Sequence, residues 1–469
     1  MGVLTRALVD RSAPTFAGPA ARDAALYALA ILCVLLAVAI AFWPGYVTVD
    51  GIDQLRQGRM GVYNSWHPPL LSWLWGRLDS LWPGPQSLML LQCGLFCLGI
   101  GLLAWRFTRS AAGAAVVLAT GLFPVNFKLL GEVGKDTQLA AALLAAVGLL
   151  AWAERRESRW PIAPALLLCF YGCAIRHNAL PAAAPLLAYA AAILFRGRSR
   201  PWWIVAATLA STFAFATGTW LVDDALTRGR PTYVFQQVML HDLAALSLAE
   251  HRSLFPAYLR EGPHALSLER IAREYSPRSI DGLAWPPNGE QKLYFSADAN
   301  EVATLVAAWR GAVASHPAAY LRHRILCFDF LLGLTRYPPD SPYFPGVEPN
   351  DLGIRPYRSP LSDAFTGWLA RHRDGLLFRG WPYLLVLVLE LCGSAIAPAA
   401  DRPLLWSLCG SGLSYALPYF LVGPTDDFRM LTWTVFAAVA SLGPALAALQ
   451  GLAFEARARP GSLPERILR

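Results

Sequence analysis

Polar groups at the ends of long apolar runs are where this chain can do chemistry. Asp50 and Asp53 follow Trp43-Pro44-Gly45 at the end of the first run, with Gln54, Arg56 and Arg59 behind them. His67, Glu132, Lys135, Asp136, Arg176, His177, Asn178, Asp426, Asp427 and Arg429 hold comparable positions in other connections. A carboxylate at a water interface accepts the proton of a hydroxyl as that hydroxyl attacks carbon, which is the task of a general base. Lys135, Arg176 and Arg429 can each hold a phosphate oxygen and stabilise charge growing on a departing phosphate. Each group also has a plain reading, as a solvated carboxylate after a helix or a cation snorkelling to headgroups. Two local patterns sharpen the chemical one. In Gly131-Glu132-Val133-Gly134-Lys135-Asp136 the glycines let the backbone turn and bring its amides to an anion at the start of the next helix. In Ile175-Arg176-His177-Asn178 the turn is tight enough to keep its side chains at the membrane surface.

For these groups to meet, the runs between them must be helices of one bundle. Of the 469 residues, 55% are hydrophobic and only 15% charged, a balance that requires lipid as solvent for much of the chain. Runs long enough to cross a bilayer lie near 24–43, 86–105, 111–127, 137–153, 160–175, 179–195, 202–222, 381–398, 403–422 and 430–450. Ala37-Val38-Ala39 is similar to a signal-peptidase site, but the run continues uncharged to Trp43 and reads as an uncleaved anchor. With the N-terminus inside, the cytoplasmic segments hold sixteen Lys and Arg residues and the short outward loops seven, so the positive-inside rule favours that orientation. The net charge of +8 is therefore topology, and nucleic acid is not an expected partner. The expectation is an all-α polytopic membrane protein of about ten transmembrane helices with a large periplasmic loop.

The expected organisation is a cytoplasmic N-terminal tail (1–23), seven spans with a first periplasmic loop at 44–85 (24–222), a large periplasmic region (223–380), three spans (381–450) and a cytoplasmic tail (451–469). Ser65 to Trp75 is too short to span and amphipathic enough to lie along the interface. Within the large region, 295–334 reads as helical, 337–360 as an ordered irregular loop, and Ile325–Leu334 as a surface segment, because counting it as a span would upset the parity. Of eight cysteines only Cys327 falls outside an apolar run, so no disulfide framework is expected, and the i,i+4 pairs Cys93/Cys97 and Cys169/Cys173 read as small apolar packing. Glu390, inside the eighth run, is a functional candidate or the partner of a neighbouring helix.

An acidic residue in the first outward loop, a long later loop and a helical body resemble the GT-C superfamily, membrane glycosyltransferases that use polyprenyl-phosphate sugars. More closely, Trp43-Pro44-Gly45, Asp50, Gln54, Trp66-His67-Pro68, Lys135-Asp136 and Arg176-x-Asn178 resemble a group of bacterial GT-C-like proteins, and His316-Pro317-x-x-Tyr320-Leu321-x-x-Arg324 is similar to a stretch before their late helices. The resemblance implies that the carboxylate matching Asp50 is the catalytic base, with Asp53 as a second position, because relatives often place two acidic residues side by side. Where relatives read Asp-x-Arg-Tyr, this chain has Asp427-Phe428-Arg429-Met430. The implied reaction is inverting transfer from a polyprenyl-phosphate sugar to a cell-envelope glycan, lipid or protein, with Lys135, Arg176 and Arg429 on the lipid phosphate. It requires no cofactor and leaves room for a divalent metal. Besides a non-catalytic scaffold, which would tolerate loss of every rim charge, two other classes stay open. One is a lipid-diphosphate-linked glycan polymerase or ligase, which would lean on Arg176, His177 and Arg429. The other is a transporter or flippase, which would place ionisable groups at mid-membrane. Arginine far outnumbers lysine, a bias of GC-rich bacterial genomes, and so points to a bacterial inner membrane with the site facing the periplasm.

Overall fold

The structure, a computed structural model, describes residues 19–107, 111–197, 201–230, 232–285, 292–339, 346–398 and 401–458. The expected tails up to residue 18 and from 459, and residues 340–345 of the Pro-rich segment, lie outside them. The first half comprises α1 (Pro19–Phe42), α2 (Val49–Met60), α3 (Pro69–Leu81), α4 (Gln86–Phe107), α5 (Ala111–Gly121), α6 (Pro124–Gly131), α7 (Lys135–Arg156), α8 (Ile162–Ile175), α9 (Leu180–Leu194) and α10 (Trp202–Thr227). Then follow α11 (Gln236–Ala249), α12 (Ala257–Arg260), α13 (Leu268–Glu274), α14 (Asp281–Ala284), α15 (Ala299–Ser315), α16 (Pro317–Leu332), α17 (Pro360–His372), α18 (Trp381–Gly393), α19 (Arg402–Ala416), α20 (Tyr419–Val422) and α21 (Thr432–Ala458). Among the described residues β-pairing is limited to isolated bridges. A backbone in lipid must satisfy its own hydrogen bonds, and a helix does so within one segment.

Seven of these helices are long and apolar enough to cross a membrane, and eight if the pair α5/α6, bent by 60°, is one span. The bend falls at Phe123-Pro124, where the ring disfavours helical backbone in the preceding residue. Every apolar run read from the sequence coincides with one of these helices or with the shorter α8 and α18. The protein is thus a multi-pass helical membrane protein. Its central helix is α7, 94% of whose spanning window is buried inside the protein. Only 6% of the α10 window is buried, and Leu209, Phe213 and Trp220 there are 66%, 74% and 62% exposed, which is affordable only against lipid.

The region 223–380 folds in two parts. Helices α11–α16 close around a core of their own, including Leu240, Leu243, Leu246, Phe255, Leu259, Ile271 and Leu305. Residues 346–372 instead return to the bundle: Phe365 of α17 stacks edge-on against Phe42 and Phe127, and Ser362 Oγ is 2.9 Å from the Tyr46 hydroxyl. The stretch expected to be helical over 295–334 is two helices, broken where Pro317 opens α16. The end of α16 buries Cys327, Leu331 and Leu332 while Ile325, Leu326 and the following Leu334 stay exposed, an amphipathic surface pattern. Residues 346–359 form the expected irregular but hydrogen-bonded segment, with Tyr357 N–H donating to Trp43 O at 3.0 Å and Arg56 pairing with Asp351 at 2.6 Å.

The first connection, 44–85, departs most from expectation: it holds two helices packed face to face. A Cβ on Gly58 would lie 2.5 Å from Ser72 O and 2.8 Å from Gly76 N, so the backbones of α2 and α3 touch there and only glycine fits. Leu71, Ser72 and Trp75 of α3 are buried while Trp73, Leu81 and Trp82 are exposed.

Candidate functional site

Gly45 has φ 119°, and a Cβ there would sit 2.4 Å from Val133 Cγ2, so this position requires glycine in both conformation and space. The close approach lets Tyr46 N–H donate to Gly131 O and Val133 N–H to Tyr46 O, both at 2.8 Å. On its other side, Val47 exchanges hydrogen bonds with Gly346 O and Glu348 N–H at 3.0 and 2.9 Å. This clamp puts Asp50, in the first turn of α2, beside Lys135, the first residue of α7.

Asp50 Oδ2 accepts from Lys135 Nζ at 2.8 Å and from Arg429 Nη1 at 3.0 Å, and Asp50 Oδ1 lies 3.5 Å from His67 Nε2. Lys135 Nζ is also 3.0 Å from His67 Nδ1. An ammonium has only donors, so Nδ1 is the acceptor and the imidazole hydrogen sits on Nε2, facing Asp50. Burial raises the Asp50 pKa, but Lys135, Arg429 and His67 outweigh it and hold the carboxyl well below its ordinary 3.8. Burial, then Lys135, lowers His67 from its ordinary 6.5 despite Asp50. The resting site is therefore a carboxylate flanked by two cations and a neutral imidazole.

Arg429 is held in turn by Asp427, whose Oδ2 accepts from Nε at 2.6 Å while its Oδ1 accepts the Arg429 N–H at 3.1 Å. Behind Lys135 lies a second network. Asp136 pairs with Arg176 at 2.6 Å, Arg176 also donates to the Tyr419 hydroxyl at 3.0 Å and to Met430 Sδ at 2.7 Å, and Asn178 donates to the same hydroxyl. Glu132 pairs with Lys128 at 2.6 Å, one helical turn earlier. The two networks border a narrow, nearly filled cleft with a cavity of about 10 Å³, lined by Thr48, Asp50, Gln54, Glu132, Gly134–Thr137 and Arg429. The start of α7 opens into this cleft, and the buried Gln54 Nε2 beside it has no partner.

Most of the expected site residues thus gather, with changes of role. Asp50, His67, Lys135, Asp427 and Arg429 form one connected group. Arg176 and Asn178 stand behind Asp136, outside the cleft lining, so Arg176 is a positioning residue and not a ligand of the cleft. Asp53 accepts instead from Gln57 on its own helix, at 2.7 Å, and takes no part in the network. His177 turns to the opposite side, 2.9 Å from Asp223, in a separate groove of about 240 Å³ beside Trp220 and Cys173. Asp426 pairs with Arg278 at 2.8 Å and Glu390 accepts from the Cys409 thiol at 3.6 Å. Tyr419 and Lys128 were not anticipated: one sits in an apolar run, the other reads as a loop cation, and only packing shows their partners. Where the resemblance expects a tyrosine, Met430 offers sulfur to Arg176 and Tyr419 brings the hydroxyl from α20.

No family model, curated protein or solved structure matches the chain. What the site can do follows from its own geometry. The amides at the start of α7, Lys135 and Arg429 surround a place suited to a phosphate, with a carboxylate on the same two cations. The three carboxylates lining the cleft, Asp50, Glu132 and Asp136, each face a cation, as does Asp427 behind Arg429, so a divalent ion would have to displace one.

Proposed function

We propose that the chain is an inverting membrane glycosyltransferase that takes a sugar from a polyprenyl-phosphate donor and passes it to a cell-envelope acceptor, with Asp50 as general base. The observation that carries this reading is Asp50 sharing both Lys135 and Arg429 at the mouth of a cleft framed by the start of α7. Those two cations hold the carboxyl low and would make it a weak base. A donor phosphate placed on them takes over their hydrogen bonds and frees Asp50, whose basicity rises when a hydroxyl needs deprotonating. The acceptor oxygen then bonds the anomeric carbon on the face opposite the phosphate, its proton passes to Asp50, and the carbon–phosphate oxygen bond breaks. The departing polyprenyl phosphate leaves on Lys135 and Arg429. His67 orients Asp50 through Nε2–H, Asp427 fixes Arg429, and the Asp136–Arg176 pair anchors the start of α7, which carries Lys135.

The same reading counts ten spans, with α5/α6 as one and α8 and α18 completing the set, and faces the cleft to the periplasm of a bacterial inner membrane. The excess of Lys and Arg on the other side supports that orientation. The polymerase or ligase alternative needs arginine and histidine without a base; here His177 points to its own groove and Arg176 is occupied by Asp136. A transporter is less well supported, since the ionic network lies at one rim.

The test compares wild type and Asp50→Asn for binding of a polyprenyl-phosphate sugar and for release of polyprenyl phosphate when envelope extract is added. Binding by both with release by wild type alone supports the assignment. Folded wild type that binds no such donor overturns it.

A further inference from the structure

Outside the cleft, the domain formed by α11–α16 carries a second cluster that the proposed reaction does not use. His241 on α11 and His323 and Cys327 on α16 are all buried, and each can offer one ligating atom such that the three lie within 4.8 Å of one another. His323 and Cys327 are one helical turn apart, so both point from the same face of α16. The geometry points to a structural zinc site formed by His241, His323 and Cys327.

Three observations support this assignment. The first is an orphaned lone pair. His241 is 0% exposed, its Nε2 is 2.8 Å from Ser276 O, and its Nδ1 has no partner. A carbonyl only accepts, so Nε2 carries the hydrogen and Nδ1 presents a bare pair of electrons toward the cluster. The second is His323, equally buried beside it, whose Nε2 lies 3.2 Å from Asp242 Oδ1 and whose Nδ1 lies 2.9 Å from the Tyr275 hydroxyl. In His241 the outer nitrogen is held by an oxygen acceptor, as the imidazoles of metal sites are, leaving Nδ1 for the ion. The third is spacing. Zinc–sulfur and zinc–nitrogen bonds of about 2.3 and 2.0–2.1 Å at tetrahedral angles separate the two ligand atoms by about 3.5 Å. Cys327 Sγ stands 3.6 Å from both His323 Nδ1 and His323 Nε2, so the thiol matches that separation and needs only to turn toward the nitrogen that shares the ion. On binding, the thiol proton is released to solvent, zinc replaces the Tyr275 hydroxyl on His323, and that hydroxyl oxygen remains at hand as a fourth donor. Asp242 and Arg324 already pair at 2.7 Å, so the thiolate offsets one of the ion's two positive charges and the occupied site carries a net +1.

The site's position explains what the ion would do. Zinc would tie α11 to α16. From α16, Arg324 donates to Gly423 O at 2.9 Å, and from the turn after Tyr275, Arg278 pairs with Asp426 and Ile280 N–H donates to Pro424 O, both within 2.9 Å. Segment 423–426 runs directly into Asp427 and Arg429, so the ion would brace the domain that holds the cationic edge of the cleft.

The experiment uses the full chain in detergent or nanodiscs, freed of metal and titrated with Zn²⁺ and with Co²⁺. The expected result is one tightly held equivalent, a thiolate-to-cobalt charge-transfer band, and a rise in thermal midpoint that a chelator reverses. Cys327→Ser should lose the band, His241→Asn should lose tight binding, and Cys93→Ser should keep both. Because the variants can fail to fold, wild type decides alone: folded wild type without the cobalt–thiolate band overturns the proposal. So does a band that survives in Cys327→Ser, which would place the metal on another thiol.

Discussion

Asp50 gathers two cations, Lys135 and Arg429, on a single carboxylate oxygen. Lys135 lies 85 positions away and Arg429 farther still, yet both reach the same oxygen. Losing the base should cost roughly 10²–10⁴-fold in transfer while leaving donor affinity nearly unchanged, so Asp50→Asn should show the loss in single-turnover assays. Asp53→Asn should retain most activity, because Asp53 is committed to Gln57. Equal losses in the two variants would remove the distinction drawn from the geometry. His67 supplies a pH test. Its pKa is lowered on folding, so its contribution to stability is intact above 6.5 and shrinks as pH falls below that value. Asp50, also lowered, adds stability that persists until the pH falls past its ordinary 3.8 and through the depressed value. Thermal midpoints of wild type should therefore drop on mild acidification, and His67→Gln should flatten that part of the profile. A wild-type midpoint that rises on acidification would mean that the folded protein gains the imidazole charge.

Helices α2 and α3 show how little the local pattern says about a short element. Val49–Met60 contains six charged or amide side chains and three glycine or methionine positions, with no apolar periodicity to mark a helix, and so reads as loop. It is helical because its glycines admit α3 and its few apolar side chains, Ile52 and Leu55, reach the core. Gly58→Ala should force the α2–α3 crossing apart at about 1–3 kcal/mol, the usual cost of overpacking. Differential scanning of the purified variant would show the lower midpoint, and donor binding should weaken with it, since α2 carries Asp50. Unchanged binding in a destabilised variant would separate the crossing from the site. The opposite case is α7, an apolar run bounded by a glycine and by Arg155-Arg156, whose identity as a span needed no tertiary information.

The bundle and the α11–α16 domain are joined by a few buried polar links, and Arg324 is the most enclosed of them. Fully buried, it pairs with Asp242 and reaches Gly423 O. Arg324→Met would leave Asp242 short of a counter-charge, at a cost of about 3–5 kcal/mol. Limited proteolysis should then nick residues 232–339 while the spanning helices resist; uniform resistance would show that other contacts hold the domain. The lipid-facing character of α10 has its own check. Leu209→Arg places a charge on an exposed apolar face and should raise the insertion free energy by about 3–4 kcal/mol, readable in a membrane-integration assay of that segment. Insertion without penalty would argue that α10 faces water or another protein.

Hydropathy alone located the apolar helices, because a chain in lipid must hide its backbone in helices and leave a mark about twenty residues long for each. One-sided clustering of Asp50, Lys135, Arg176 and Arg429 was likewise readable from which connections they occupy. Which of them touch was not: a salt bridge depends on ångström-level registration, set here by Gly45 against Val133 and by the hydrogen bonds of Tyr46. Nor could sequence spacing separate Asp50 from Asp53, two residues of one short helix turned toward different partners. The His241–His323–Cys327 cluster was equally hidden, since it joins two helices some 80 residues apart whose alignment comes from their shared core.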